Sequence, residues 1–253
     1  MPNIRVHKNN PQVEEAFVLD KQPAGEDSLY VRLLGKNRGK FVSIAGKARK
    51  SIKRFINGLE PFELVKIQYK KIKNSSNLFF LEQSKPIRFF ERLTCFPKAC
   101  FMGFLANELI LKSLMDEEGA NNVFGLYYDM LLALNAEPLK TKPMFMFMHE
   151  LFKVIGIAPS LMECVKCGYI VSKEPFTLLS IEDGGAVCVK CRLNEESRYS
   201  LKLNQPISSI LDDEIQLEKL VQFYVDFWQY RFNRPLHAWK GWISIKNEFG
   251  ALL

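Results

Sequence analysis

GKFVSIAGKARKSIKRFINGLEPFELVKIQY, residues 39–69, reads as a strand, a short helix and another strand. GKFVSIAG (39–46) and FELVKIQY (62–69) are short and rich in branched and aromatic residues, and in the second Val65, Ile67 and Tyr69 alternate with Lys66 and Gln68. Between them, in KARKSIKRFINGL, Ile52, Phe55, Ile56 and Leu59 recur at helical spacing. Upstream, EEAFVLDK (14–21) and SLYVRLLG (28–35) are strand-like, with Leu29, Val31 and Leu33 alternating with Tyr30, Arg32 and Leu34. NLFFLEQS (77–84) is the fifth strand, and QPAGED, GKNRGK and KNSSN are turn-like separators. Five strands with one helix between the third and fourth is the order of an OB-fold; an SH3-like or other small barrel is the alternative.

From about residue 89 the period changes to 3.6. A helix is predicted to begin near Pro97, a second in NNVFGLYYDMLLALN and a third in PMFMFMHELFKVIG. The clearest is LEKLVQFYVDFWQYRF, with Leu217, Leu220, Val221, Tyr224 and Trp228 on one stripe. Pro86 should break the last strand, which puts the boundary near Lys85 to Phe89. The expected fold class is α+β with two domains. Residues 1–86 are expected to form an OB-fold β-barrel, and 87–253 an all-α domain with an inserted four-cysteine module at about 160–195.

The chain has 253 residues, 47% of them hydrophobic, enough for a packed core. No stretch approaches the roughly 20 apolar residues of a membrane span, and MPNIRVHKNNPQVEE lacks the apolar core of a secretory signal, so a cytoplasmic protein is expected. Up to residue 88 there are 18 Lys and Arg against 8 Asp and Glu; the remainder has 17 against 20. The basic character of the whole chain, +7, therefore belongs to its N-terminal third, which points to a polyanion-binding face.

Cys164 with Cys167 and Cys188 with Cys191 form two Cys-x-x-Cys pairs, a spacing suited to one tetrahedral zinc. Paired disulfides and an iron–sulfur cluster are the other chemistries the spacing allows. With all four positions filled by protein, a zinc held there is expected to be structural. Cys95 and Cys100 stand apart in an apolar, helix-like stretch and are expected as buried thiols.

Catalytic signals are weak. His149 and Glu150 resemble half of a zinc-protease helix, but Lys153 stands where the second His belongs, and His149 is expected as a partly buried core residue. GKFVSIAGKA fails as a phosphate loop, because Phe41 falls at the first Gly position and Ala48 follows Lys47. Asp116 with Glu117, and Asp212 with Asp213, read as solvated helix ends. A binding protein is expected, not an enzyme.

Lys36, Arg38, Lys40, Lys47, Arg49, Lys50, Lys53 and Arg54 fall within nineteen residues that contain no acid. A merely solvated face would mix signs. The run therefore reads as a phosphate track, with Tyr30 and Phe41 as candidates for base stacking; a face for an acidic protein tail is the alternative.

FMHELFKVIGIAPSLMECVKCG (147–168), followed by Ser180, Gly184, Gly185 and the second Cys-x-x-Cys, closely resembles the RecO family of bacterial recombination mediators. EAFVL, Glu26, Gly39, Lys40, Ala48, Arg49 and the LEPF of residues 59–62 follow that family's OB domain more loosely. The resemblance spans roughly residues 14–195, with departures. Ala45-Gly46-Lys47-Ala48-Arg49 replaces the usual Ala-Lys-Gly-Ala-Arg, and Gly35 replaces a common Thr. The resemblance implies an OB domain followed by a helical domain with a zinc finger whose metal is structural. It also implies a role in DNA repair by the RecF pathway. There the protein would bind single- and double-stranded DNA, anneal complementary strands and, with RecR, help load recombinase onto DNA covered by single-stranded-DNA-binding protein. The acidic C-terminal tail of that protein would dock on the helical domain, and the cellular site would be the nucleoid. Two other readings are an RNA-binding OB and zinc-ribbon protein of translation or transcription, and a nuclease whose acids meet only in the fold.

Overall fold

A computed structural model describes residues 10–51, 53–55, 59–73, 75, 77–114, 120–171, 174–193, 201–203 and 206–249. They group into two compact units, one within residues 1–95 and 107–135, the other within 96–106 and 136–253.

The first unit is built on five strands, Gln12–Ala24 (β1), Ser28–Gly35 (β2), Gly39–Ala45 (β3), Leu64–Lys71 (β4) and Leu78–Arg88 (β5). They close a barrel in the order β1-β2-β3-β5-β4, with β3 and β5 parallel and the other pairs antiparallel. This is the OB-type barrel the strand order called for. Strand alternation fills it: Val31, Leu33, Phe41, Val65, Ile67, Tyr69, Phe79 and Leu81 point inward and are buried together. Where the helix was expected after β3, Ala48–Lys50 forms a 3-10 turn, and Phe55 and Leu59 are buried in the core. Ile52 and Ile56 lie outside the described residues.

Pro86 does not break the last strand. β5 continues to Arg88, with Pro86 opposite Val65, and the ladder absorbs the missing N–H by a register shift between Leu64 and Val65. Leu34, which alternates with the inward Leu33, is buried as well.

The middle of β1 is dry on its outer side too, at Phe17 and Leu19. The register slips between Val18 and Asp20, so Leu19 bulges and its carbonyl is free to accept a 2.7 Å hydrogen bond from Asn107 Nδ2. Tyr127 in turn donates its hydroxyl proton to Asn107 Oδ1. Asn107 lies on the helix Pro97–Ser113 (α2), which follows the short helix Glu91–Cys95 (α1); Tyr127 lies on Ala120–Ala136 (α3). Phe17 meets Tyr127 edge-on at 4.9 Å and Phe124 at 5.0 Å.

The second unit holds the helices Lys142–Val154 (α4), Val189–Leu193 (α5), Glu214–Phe232 (α6) and His237–Phe249 (α7), and a small sheet, Thr177–Ser180 (β6), Gly185–Ala186 (β7) and Leu201–Leu203 (β8), ordered β7-β6-β8. The α6 stripe Leu217, Leu220, Val221, Tyr224 and Trp228 is buried as its spacing required. Asp213 caps α6, accepting from the backbone N–H groups of Ile215 and Gln216. Tyr224 stacks on Phe152 and holds His149 Nδ1 at 2.7 Å, so His149 is a half-buried core residue whose pKa burial and then Lys153 depress. The helix α7, with buried Trp239 and Trp242, went unread in the sequence. Asp116 and Glu117 lie outside the described residues.

Candidate metal centre and nucleic-acid interface

The four sulfurs of Cys164, Cys167, Cys188 and Cys191 lie within 4.8 Å of one another. Cys167 Sγ is 3.6 Å from Cys188 Sγ. Thiolates about 2.3 Å from a central ion at the corners of a tetrahedron are about 3.8 Å apart, so the donor set fits one soft or borderline cation with no vacancy for another ligand. Among the described residues this is the one cluster of His, Cys, Asp and Glu close enough to share an ion.

Backbone hydrogen bonds tie the two knuckles together. In the first, Gly168 takes a positive φ of 72° and its N–H donates to the Cys164 carbonyl at 2.8 Å, closing the turn. The second is tied to the first by Ala186 N–H on Ser160 O at 2.7 Å and Val165 N–H on Ala186 O at 2.9 Å. Gly185 makes that approach possible, since a Cβ on it would lie 2.3 Å from the Ser160 carbonyl oxygen.

Electrostatics also favours a cation. Burial raises the Cys164 thiol, but the backbone N–H groups of Cys188, Lys166 and Cys167 outweigh it and bring the pKa down to about 7. Cys191, against the sulfurs of Cys167 and Cys188, is pushed up to about 12. Four thiols this close cannot all ionise unless a positive ion sits among them. Cys95 and Cys100 stay apart from this centre, and the expectation of two buried thiols needs correction: Cys95 is exposed and only Cys100 is half-buried. Cys95 ends the five-residue helix α1, which buries Leu93 and turns Cys95 outward.

The basic run meets acids that the sequence places elsewhere. Lys36 pairs with Glu15 at 3.0 Å and Lys50 with Asp27 at 2.8 Å, while Arg49 donates to the Glu26 carbonyl. Arg38 closes one end of the barrel: its guanidinium donates to Tyr69 Oη and Gln12 Oε1 and lies 4.6 Å over the Phe79 ring. Burial, and then the Glu14 carboxylate that accepts its proton, push Tyr69 up to about 12. Arg54 donates to the Gly46 carbonyl at 2.6 Å. The side chains of Lys47 and Lys53 are exposed and make no ion pair among the described residues.

Two of the expected contacts are corrected. Lys40 is turned to the end of α2, where Nζ donates to the carbonyls of Leu111 at 3.0 Å and Leu114 at 2.5 Å; it satisfies a helix C-terminus and is not presented to a phosphate. Phe41 is 0% exposed, packed between Tyr69 and Phe79, because the pleat of β3 turns it inward. Tyr30, on the outward set of β2, is 42% exposed. A further outward aromatic, Phe80 on β5, was missed; its place between Phe79 and Leu81, both inward, was the signal available.

Comparison with known proteins adds to this geometry. The family model described as "Recombination protein O N terminal" matches residues 12–90, and "Recombination protein O C terminal" matches 97–205. A protein named DNA repair protein RecO from Caldanaerobacter subterraneus subsp. tengcongensis is 26% identical over 199 residues, 78% of this chain and 77% of its own. One of the same name from Syntrophus aciditrophicus is 26% identical over 208 residues, 81% and 80%. The Anaeromyxobacter sp. (strain K) protein is 30% identical over 174 residues, 66% of this chain and 65% of its own, so the match spans just under two thirds of that relative.

Proposed function

This chain belongs to the RecO family of DNA repair proteins, and from that membership we propose that it is a recombination mediator of the RecF pathway. It binds single- and double-stranded DNA, anneals complementary strands and, with RecR, helps load recombinase onto DNA coated by single-stranded-DNA-binding protein. The observation that carries this reading is that two family models fall in chain order on two structural parts: residues 12–90 on the barrel and 97–205 on helices and both knuckles. The functional division is residues 1–86 for DNA and 87–253 for the zinc module and the acidic C-terminal tail of the single-stranded-DNA-binding protein. No helix among the described residues is long and apolar enough to cross a membrane, which suits work at the nucleoid in the cytoplasm.

The bound ion is one structural zinc, because four protein thiols within 4.8 Å of one another suit that metal and leave no site for substrate. On the barrel, Lys47 and Lys53 carry the phosphate contacts, joined by Lys36, Arg38, Arg49, Lys50 and Arg54. The Lys36 and Lys50 pairs lie at the surface, where an ion pair is worth only about 0–1 kcal/mol and exchanges readily for a phosphate. Nothing in this role makes or breaks a covalent bond.

The test is annealing of complementary labelled DNA strands by the purified full chain, with and without single-stranded-DNA-binding protein and RecR. Acceleration of annealing, relief of the coating protein's block and co-purification with RecR are expected. Persistent metal-dependent cleavage of the DNA, or binding to matched RNA in strong preference to DNA, would sink this reading.

A further inference from the structure

The outward residues of the barrel line up across three strands. Tyr30 of β2 stands opposite Ile44 of β3, and Ile44 stands opposite Phe80 of β5. Strand spacing of about 4.8 Å puts the backbones of Tyr30 and Phe80 roughly 10 Å apart with Ile44 between them. Tyr30 is exposed, Phe80 is partly exposed and Ile44 is nearly covered, so two rings rise from an apolar floor. Beside them in the next row lie Val42 and Leu78, also opposite each other and partly exposed.

Cations gather at the Phe80 end. Gly46 lies against the Phe80 ring, where a Cβ would come within 3.2 Å of Cε2. The next residue, Lys47, is held in the left-handed region at φ 54° with its side chain exposed. Arg54 is anchored on the Gly46 carbonyl and so brings its charge to the same corner. At the Tyr30 end, Gln22 of β1 is opposite Tyr30 and exposed. The patch is thus aromatic and apolar in the middle and cationic at one end.

We propose that Tyr30 and Phe80 form a two-ring stacking platform for the bases of a single nucleic-acid strand, with Lys47 and Arg54 taking the phosphates beside Phe80. This rests on the nucleic-acid reading above and gives it a surface. A protein tail would need backbone pairing or a cleft, and each strand here already has two barrel neighbours; a strand of stacked bases needs only exposed ring faces and nearby cations. Because every base has a face, the platform binds without regard to sequence.

The experiment measures binding of a fluorescein-labelled oligodeoxythymidine to the full chain across a salt series. Phe80→Leu and Tyr30→Leu should each weaken binding about five- to 150-fold with the salt slope unchanged, while Phe80→Tyr and Tyr30→Phe keep most of it. Lys47→Ala should flatten the slope by about 0.7. Circular dichroism checks that each variant is folded. In the unaltered protein, a bromouracil-substituted strand cross-linked by light should attach to peptides holding Tyr30 or Phe80, a readout that no folding defect can confuse. If the unaltered protein binds no single strand, the nucleic-acid reading itself falls. If it binds normally but the folded double Leu variant is unaffected, or cross-links fall only on other peptides, the platform alone is overturned.

Discussion

Gly185 and Ser160 meet backbone to backbone in a parallel bridge, so closely that no side chain fits on the glycine. Gly185→Ala must push the second knuckle off the first, and the clash is with backbone, which cannot swing aside. A loss of more than about 2 kcal/mol of stability is expected, together with weaker metal retention. Thermal unfolding and metal content per chain check both; a variant with full metal and unchanged melting would refute the coupling.

Removal of the metal should be felt locally. Elemental analysis should find one zinc per chain, and Cys188→Ser should abolish stoichiometric binding, since Cys188 is buried and lies 3.6 Å from Cys167. Hydrogen exchange is expected to rise between residues 160 and 193 and to stay unchanged in the barrel strands. Zinc affinity must also fall as pH is lowered, because protons compete for the thiolates.

Lys40 distinguishes a structural cation from a ligand-binding one. Lys40→Met leaves the last carbonyls of α2 without their donor and should cost about 1–2 kcal/mol of stability while the salt dependence of DNA binding stays as it was. Replacing Lys47 and Lys53 together should do the reverse, leaving the melting temperature within error and flattening the salt slope by about 1.4.

Phe41→Ala should behave as a core deletion, costing about 3–5 kcal/mol, with both affinity and fold lost together as temperature rises. Chemical denaturation followed at the barrel's aromatics measures this. A folded, stable variant with selectively weakened DNA binding would show that the ring is a contact after all.

A pH effect should come from Glu218. Burial raises its carboxyl, but Lys246 and Lys98 more than offset this and hold it below the usual carboxylate range. A depressed folded-state pKa means the stabilisation is present above the unfolded value near 4.5 and is lost as pH falls through the lower folded value. Glu218→Gln should cost roughly 1–2 kcal/mol at neutral pH, the low end of charge-assisted bonds because part of the carboxyl faces water. The gap between variant and unaltered protein should close in strong acid, as read by urea unfolding at a series of pH values.

Much of this was legible in the chain itself, because period-two and period-3.6 patterns directly report which faces are dry. Val31 and Leu33, or Leu217 and Tyr224, could hardly point elsewhere, and four cysteines in two short turns mark a candidate ligand set by their spacing. What the sequence hid was cross-strand. The run from Lys36 to Arg54 is free of acids along the chain, yet Glu15 and Asp27 reach it from β1 and the following turn. Phe41 and Phe80 look equally available until the pleat decides that one is inside and the other outside. Pro86 looked like a stop because a lone proline removes a donor, but a neighbouring register shift tolerates the gap.

The Asn107 amide that binds the bulged Leu19 carbonyl lies 88 positions further along the chain. A chain cut after Arg88 would keep all five barrel strands but lack Phe124 and Tyr127, leaving Phe17 to face water. Such a fragment would carry the complete strand ladder with an apolar flank. A truncated message ending there is expected to yield an aggregating product in place of a half-working one, which sedimentation of the 1–88 fragment would check.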